Sequence, residues 1–138
     1  MIPELSFHHM GVACQDLAAE MNLFKALGYR QEGSIFSDPI QKIEGVFLTG
    51  PGPRLELLAP LDNSSPVTSW LGKGIKYYHQ AFEVASMSRS LKQMRFRHAR
   101  VVAPPEPAVA FGGRLIAFVM LPGMILLELI ESETIQNA

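Results

Sequence analysis

The sequence predicts an α+β fold: two tandem β-α-β-β-β modules forming a cupped, mostly antiparallel eight-stranded sheet. Three observations predict it. Residues 7–13 and 77–84 are similar strand-like segments, and His9 stands 70 positions before His79. Residues 54–60 and 125–130 are likewise apolar, and Glu56 stands 72 positions before Glu128. Between those landmarks each half offers one short amphipathic helix and three strand candidates. The repeat runs through the whole chain, which is read as one domain (residues 1–138) with modules at about 5–61 and 75–131.

Each element has a local reason. Asp16 and Ser86, seven positions after their histidines, are good helix N-caps. Behind Asp16 the apolar residues Leu17, Met21 and Phe24 recur at i, i+4, i+7; behind Ser86, Met87, Leu91 and Met94 do the same. Gly28 is a usual helix stop. Strands are expected at 29–37, 43–49 and 54–59 in the first half, and at 100–103, 115–120 and 125–130 in the second. Turns at Gly50-Pro51-Gly52-Pro53, Gly112-Gly113 and Pro122-Gly123 separate them. Pro104-Pro105-Glu106-Pro107 reads as a stiff connector, and residues 67–71 as one short helical turn.

Strand alternation then sorts the side chains by face. Phe7, His9, Gly11 and Ala13 share one face, with Met10, Val12 and Cys14 on the other. His79 and Ala81 share a face, opposite Gln80, Phe82 and Val84. The bulkier side suits packing beneath a helix. The histidine side carries residues too small to fill a core, as a ligand-holding face would.

Composition narrows the class. At 138 residues with 48% apolar content, one domain buries a real core easily. Net charge is −1 and no basic run tracks phosphates, so nucleic acid is not an expected partner. The single cysteine, Cys14, forms no intrachain disulfide and suits a reducing compartment. Residues Met1–Glu4 do not begin a signal peptide, and no apolar run nears the roughly 20 residues needed to span a bilayer. A soluble, cytoplasmic protein with no membrane partner is expected.

The glutamates carry the chemistry. Glu56 lies between leucines and Glu128 sits within Ile-Leu-Leu-Glu-Leu-Ile. An ionised carboxylate buried without compensation costs several kcal/mol, so such a group has a partner or a metal. One such glutamate fits the solvent face of a strand, and one such histidine fits a satisfied core. Two of each, at equivalent places in a repeat, point instead to a divalent metal site between the halves.

These residues are also where a family resemblance enters. Over about its whole length the chain resembles the vicinal oxygen chelate superfamily, which includes glyoxalase I, methylmalonyl-CoA epimerase and bleomycin-resistance proteins. His9-Met10-Gly11-Val12-Ala13, residues 79–84, residues 55–61 and Leu127-Glu128-Leu129 carry the likeness. It implies His9, Glu56, His79 and Glu128 as metal ligands, with Zn²⁺, Ni²⁺, Co²⁺ or Mn²⁺ as the ion. The tract 60–67, followed by Trp70-Leu71, is similar to the methylmalonyl-CoA epimerase-like branch. The chain departs from that branch at several positions. Tyr78 stands where epimerases often have a second histidine, and His8 where they have an aspartate. Phe111 replaces a histidine, and the hairpin 120–124 is shorter. A glutamate proposed as a second base in some epimerases falls at Gly45, with Glu44 beside it on the opposite face.

The resemblance implies a metal-dependent epimerase or isomerase that removes a proton next to a carbonyl, with a small-molecule carbonyl or acyl-thioester substrate. Glu128 is the first choice for the base and Glu56 the second. Phe47, Trp70, Phe111 and Arg114 are candidates for substrate contact, although core filling or solvated charge accounts for each. A glyoxalase I-like lactoylglutathione lyase is the alternative. A metal-free binding module of the resistance type would lack the four ligands, and a ring-cleaving dioxygenase uses two histidines and one carboxylate. A homodimer is expected, because superfamily relatives commonly associate.

Overall fold

A computed structural model describes residues 5–133; the reading of Met1–Glu4 lies outside them. The first half runs β1 (Ser6–Ala13), α1 (Leu17–Ala26), β2 (Arg30–Asp38), β3 (Ile43–Thr49) and β4 (Leu55–Pro60). A short helix α2 (Pro66–Gly72) follows. The second half repeats the order: β5 (Tyr77–Val84), α3 (Met87–Phe96), β6 (Arg100–Pro107), β7 (Leu115–Met120) and β8 (Leu126–Glu131). The strands run in the order β2-β3-β4-β1 in the first half and β5-β8-β7-β6 in the second. Within each half the central pair, β1 with β4 and β5 with β8, is parallel, and the outer pairs are antiparallel.

The caps form as the sequence predicts. The Asp16 carboxylate accepts the Ala19 N–H at 3.1 Å, and Ser86 Oγ accepts the Arg89 N–H at 3.3 Å. Gly28, at φ 98°, turns the chain out of α1. Its repeat equivalent is His98, which takes the same left-handed conformation at φ 66° after α3. A histidine gives no glycine signal, so the end of α3 was not visible in the pattern.

One element differs from expectation. Residues 104–107 are not a connector; they continue β6 to Pro107. The pairing of β6 with β7 shifts register between Val101 and Ala103 and again between Ala103 and Glu106. Since β6 ends the strand order, its outer side needs no ladder donors, and prolines are tolerated there.

The chain divides into two compact units. One is His9–Tyr78; the other joins the residues ahead of His9 to those from His79 onward. The start of β1 therefore belongs with the second half: Phe7 meets Phe82 edge-on at 5.9 Å between ring centres, and His8 meets Phe111 at 5.3 Å. In the first unit, Val12, Val46, Leu48, Leu55, Leu57 and Ala59 pack under Leu17 and Met21 of α1. In the second, Val84, Ala117, Val119, Leu127 and Leu129 pack under Met87, Leu91 and Met94 of α3. Each fully buried leucine contributes about 1.5–3 kcal/mol. Those cores fix one face of every central strand and so commit the alternate residues, histidines and glutamates included, to the other.

Candidate metal centre

In the first unit the parallel register sets Gly11 opposite Glu56. With no side chain at Gly11, the Glu56 carboxylate has room to lean toward β1. His9 Nε2 lies 3.0 Å from Glu56 Oε1, and the two residues are 0% and 4% exposed. Phe47 stands opposite Glu56 on β3, and its ring meets that of His9 at 5.2 Å and 79°.

The second unit repeats this arrangement. Ala81 stands opposite Glu128, and His79 Nε2 lies 3.4 Å from Glu128 Oε1. These residues are 4% and 2% exposed. Phe118 stands opposite Glu128 on β7, with its ring 5.3 Å and 76° from His79. The duplicated unit is thus a triplet of His, Glu and Phe. Phe47 was legible as a candidate; Phe118 was missed, although it lies 71 positions after Phe47, within the repeat's own spacing.

Each unit thus offers a metal ion one buried histidine and one buried glutamate, His9 with Glu56 in the first and His79 with Glu128 in the second. The donor chemistry fits a divalent ion. Two carboxylates in leucine-rich strands bring two negative charges out of water, and neutral imidazoles do not offset them. A dication does, and two imidazoles with two carboxylates suit a borderline metal such as Zn²⁺, Ni²⁺, Co²⁺ or Mn²⁺.

The other expected contact residues are placed differently. Trp70 packs edge-on against Tyr78 at 5.4 Å. Phe111 is buried against His8, with the Arg114 guanidinium 5.6 Å from its ring centre. Arg114 Nη1 bonds Glu83 Oε2 and the Glu131 carbonyl, both at 3.1 Å, so its charge ties β7 to β5 and β8. Cys14 is no nucleophile: burial, then repulsion from Glu20, pushes its thiol up to about 11.

Gly45 is covered. A β-carbon there would stand 2.6 Å from Phe36 Cζ and 3.1 Å from the Leu57 carbonyl oxygen. The Phe36 ring, on β2, also lies 6.0 Å from that of Phe47 on β3, so an aromatic wall runs outward from His9 across β3 to β2.

Twin β-α-β-β-β units, each with a buried His–Glu pair on the face away from its helix, define a class of protein. The chain matches the family model "Glyoxalase/Bleomycin resistance protein/Dioxygenase superfamily" over residues 8–118, and it belongs to that family. Among curated proteins it is similar to an ethylmalonyl-CoA/methylmalonyl-CoA epimerase of Cereibacter sphaeroides, with 27% identity over 80% of this chain and 84% of the relative. Among solved structures it is similar to a methylmalonyl-CoA epimerase of Mycobacterium tuberculosis: TM-score 0.78 and 25% identity, covering 96% of this chain and 92% of the other. A Streptomyces coelicolor methylmalonyl-CoA epimerase variant in complex with 2-nitronate-propionyl-CoA matches at TM-score 0.77 and 29% identity, covering 94% and 99%. No helix among the described residues is long and apolar enough to cross a membrane.

Proposed function

We propose that the chain is a divalent-metal-dependent epimerase or isomerase that removes a proton next to the carbonyl of an acyl thioester, in the manner of methylmalonyl-CoA epimerase. The observation that carries this reading is the repetition of a buried His–Glu pair, His9 with Glu56 in one unit and His79 with Glu128 in the other. Similarity over most of the chain to two epimerases supports the acyl-thioester substrate.

His9 and His79 would hold the ion through Nε2, with Phe47 and Phe118 fixing the ring planes. When bound, the ion supplies Lewis acidity to the oxygen on which enolate charge develops. Glu128 takes the carbon-bound proton, and Glu56, from the other unit, serves the opposite face of the planar carbon. A proton returned by the second carboxylate inverts the centre. The leucines and phenylalanines around both pairs keep bulk water from the carbanion.

The test is solvent deuterium exchange. Metal-loaded protein in D₂O should exchange the α-proton of methylmalonyl-CoA, and Glu128→Gln should abolish exchange while retaining part of the metal, since a carboxamide is no base. Full exchange in that variant, or none in the wild type, removes the reading.

One observation favours a second reading. The position where some epimerases are said to carry a further base is Gly45, filled by the Phe36 ring. A glyoxalase-type shift of a hemithioacetal proton needs only the Glu pair, so hemithioacetals belong in the same exchange screen. We further propose one catalytic domain of two modules, a homodimer in the cytoplasm, and Phe47, Trp70 and Phe111 as apolar lining for the acyl group, with Arg114 holding the second module's wall.

A further inference from the structure

Charge is distributed most unevenly around α3. Five Lys and Arg residues, and no Asp or Glu, fall between Glu83 and Glu106. Arg89, Lys92, Arg95 and Arg97 line one hollow of about 900 Å³, together with Gln93 and Phe96. Among the described residues no carboxylate pairs with these four cations, and Arg97 Nη1 donates to the Gln93 carbonyl at 3.2 Å. Phe96 is 82% exposed. Each of these features costs stability. Arg89, Lys92 and Arg95 are spaced three apart, where like charges on a helix repel. Arg89 also sits in the first turn, the end at which the helix dipole disfavours a cation. An exposed phenylalanine forgoes the burial energy it would contribute in a core.

The repeat shows that the fold does not need them. In α1, Ala19, Asn22, Ala26 and Leu27 stand 70 positions before Arg89, Lys92, Phe96 and Arg97, and only Lys25 matches a cation, Arg95. Both helices still pack on their own strands through matching positions, Leu17, Met21 and Phe24 in one and Met87, Leu91 and Met94 in the other. What α3 adds to that common frame is a concave cationic surface around a bare aromatic ring. We propose that this hollow binds a free nucleotide carrying two or more phosphates. The guanidinium groups take the phosphate oxygens in pairs, and the Phe96 ring stacks on the base. The hollow has the size of a small-ligand site, about 300–1,000 Å³. An anionic membrane is a poor match, because a helix lying on lipid presents its apolar face, and that of α3 is buried against the strands. The helix covers the strand face opposite His79 and Glu128, so the nucleotide is a separate molecule from any ligand of that pair.

Calorimetric titration of the purified protein with ADP, inorganic pyrophosphate and adenosine reads the site directly. Wild type should bind ADP more tightly than either part alone. Arg95→Gln should weaken both ADP and pyrophosphate about 10-fold or more, the usual range for a charged hydrogen bond. Phe96→Ala should weaken ADP about 5-fold or more and leave pyrophosphate unchanged, since only the base stacks. Both positions are exposed, so the melting temperature should stay at the wild-type value. Lys25→Gln, which removes the matching cation of α1, should leave ADP binding unchanged. Added EDTA should not alter it either, which separates the hollow from a phosphate held by bound metal. No ADP binding by wild type overturns the proposal, as does equal weakening by Lys25→Gln and Arg95→Gln. Full ADP affinity in Phe96→Ala overturns the nucleotide assignment, because the hollow then takes any polyanion. Vesicles of phosphatidylserine that bind wild type but not Arg95→Gln, with no ADP binding, would make the face a membrane contact instead. ADP should also bind unchanged in the presence of saturating methylmalonyl-CoA. Displacement of ADP there, with methylmalonyl-CoA weakened by Arg95→Gln, means that the hollow holds the thioester's own nucleotide head, and the free-nucleotide assignment fails.

Discussion

The ring of Phe36 fills the space above Gly45, on the same face of the first unit as Glu56. In the second unit the matching place on β7 is Ile116, which faces Ile130 as Gly45 faces Leu58. One unit fills the position from its own strand and the other borrows a ring from β2. The two solutions leave different walls beside otherwise matching triplets.

Gly45→Ala should therefore destabilise the protein by about 1–3 kcal/mol, because the new methyl group meets both a ring and a backbone carbonyl. Denaturant midpoints check this, and Phe36→Leu in the same chain should recover part of the loss. A Gly45→Ala protein as stable as wild type would mean that the ring swings away freely.

Metal should stabilise the fold. Binding to the native state alone adds about 2.7 kcal/mol at a free metal concentration of 100 times Kd. Melting temperature should rise by several degrees with Zn²⁺, Ni²⁺, Co²⁺ or Mn²⁺. His9→Ala and His79→Ala should each abolish most of the rise, since both units supply a pair. A melting point indifferent to all four ions would remove the metal centre.

The strain at His98 is open to repair. Its left-handed backbone is costly for a residue with a β-carbon, and Gly28 occupies the equivalent place in the first half. His98→Gly should stabilise by about 0.5–1 kcal/mol, after allowing for the greater unfolded-state freedom of glycine. Chemical denaturation of the two proteins side by side gives the sign.

Alkaline stability should depend on Cys14. Its thiol is raised from 9.0 to about 11 in the folded chain, so the unfolded chain loses its proton first as pH rises. The contribution is fully present below pH 9 and is lost between pH 9 and about 11. Cys14→Ala should lose less stability than wild type over that interval. The wild-type thiol should also react slowly with iodoacetamide at pH 8, compared with the denatured chain.

Much of this was legible in the residues. Strand and helix periods placed nearly every element, because alternation and the i, i+4, i+7 pattern are local consequences of backbone geometry. The repeat exposed His9, Glu56, His79 and Glu128, because a charged residue in a leucine-rich strand stands out wherever the chain goes. It also held Phe118, had the spacing from Phe47 been followed. Pro104–Pro107 misled because proline reports what a strand cannot donate, and only the strand order shows that β6 has an outer side where no donor is needed.

The sequence by itself therefore determined the repeated architecture, the faces of its strands and the four metal-ligand candidates, since each follows from spacing along one chain. Tertiary structure decided that the start of β1 packs with the second half, that Phe36 covers Gly45, that Arg114 is tied to Glu83, and that Arg54 reaches across β3 to Glu32. Those relationships join residues up to tens of positions apart through strand register and side-chain direction. Register is settled by the packing of whole strands against a common core, and no local period records it.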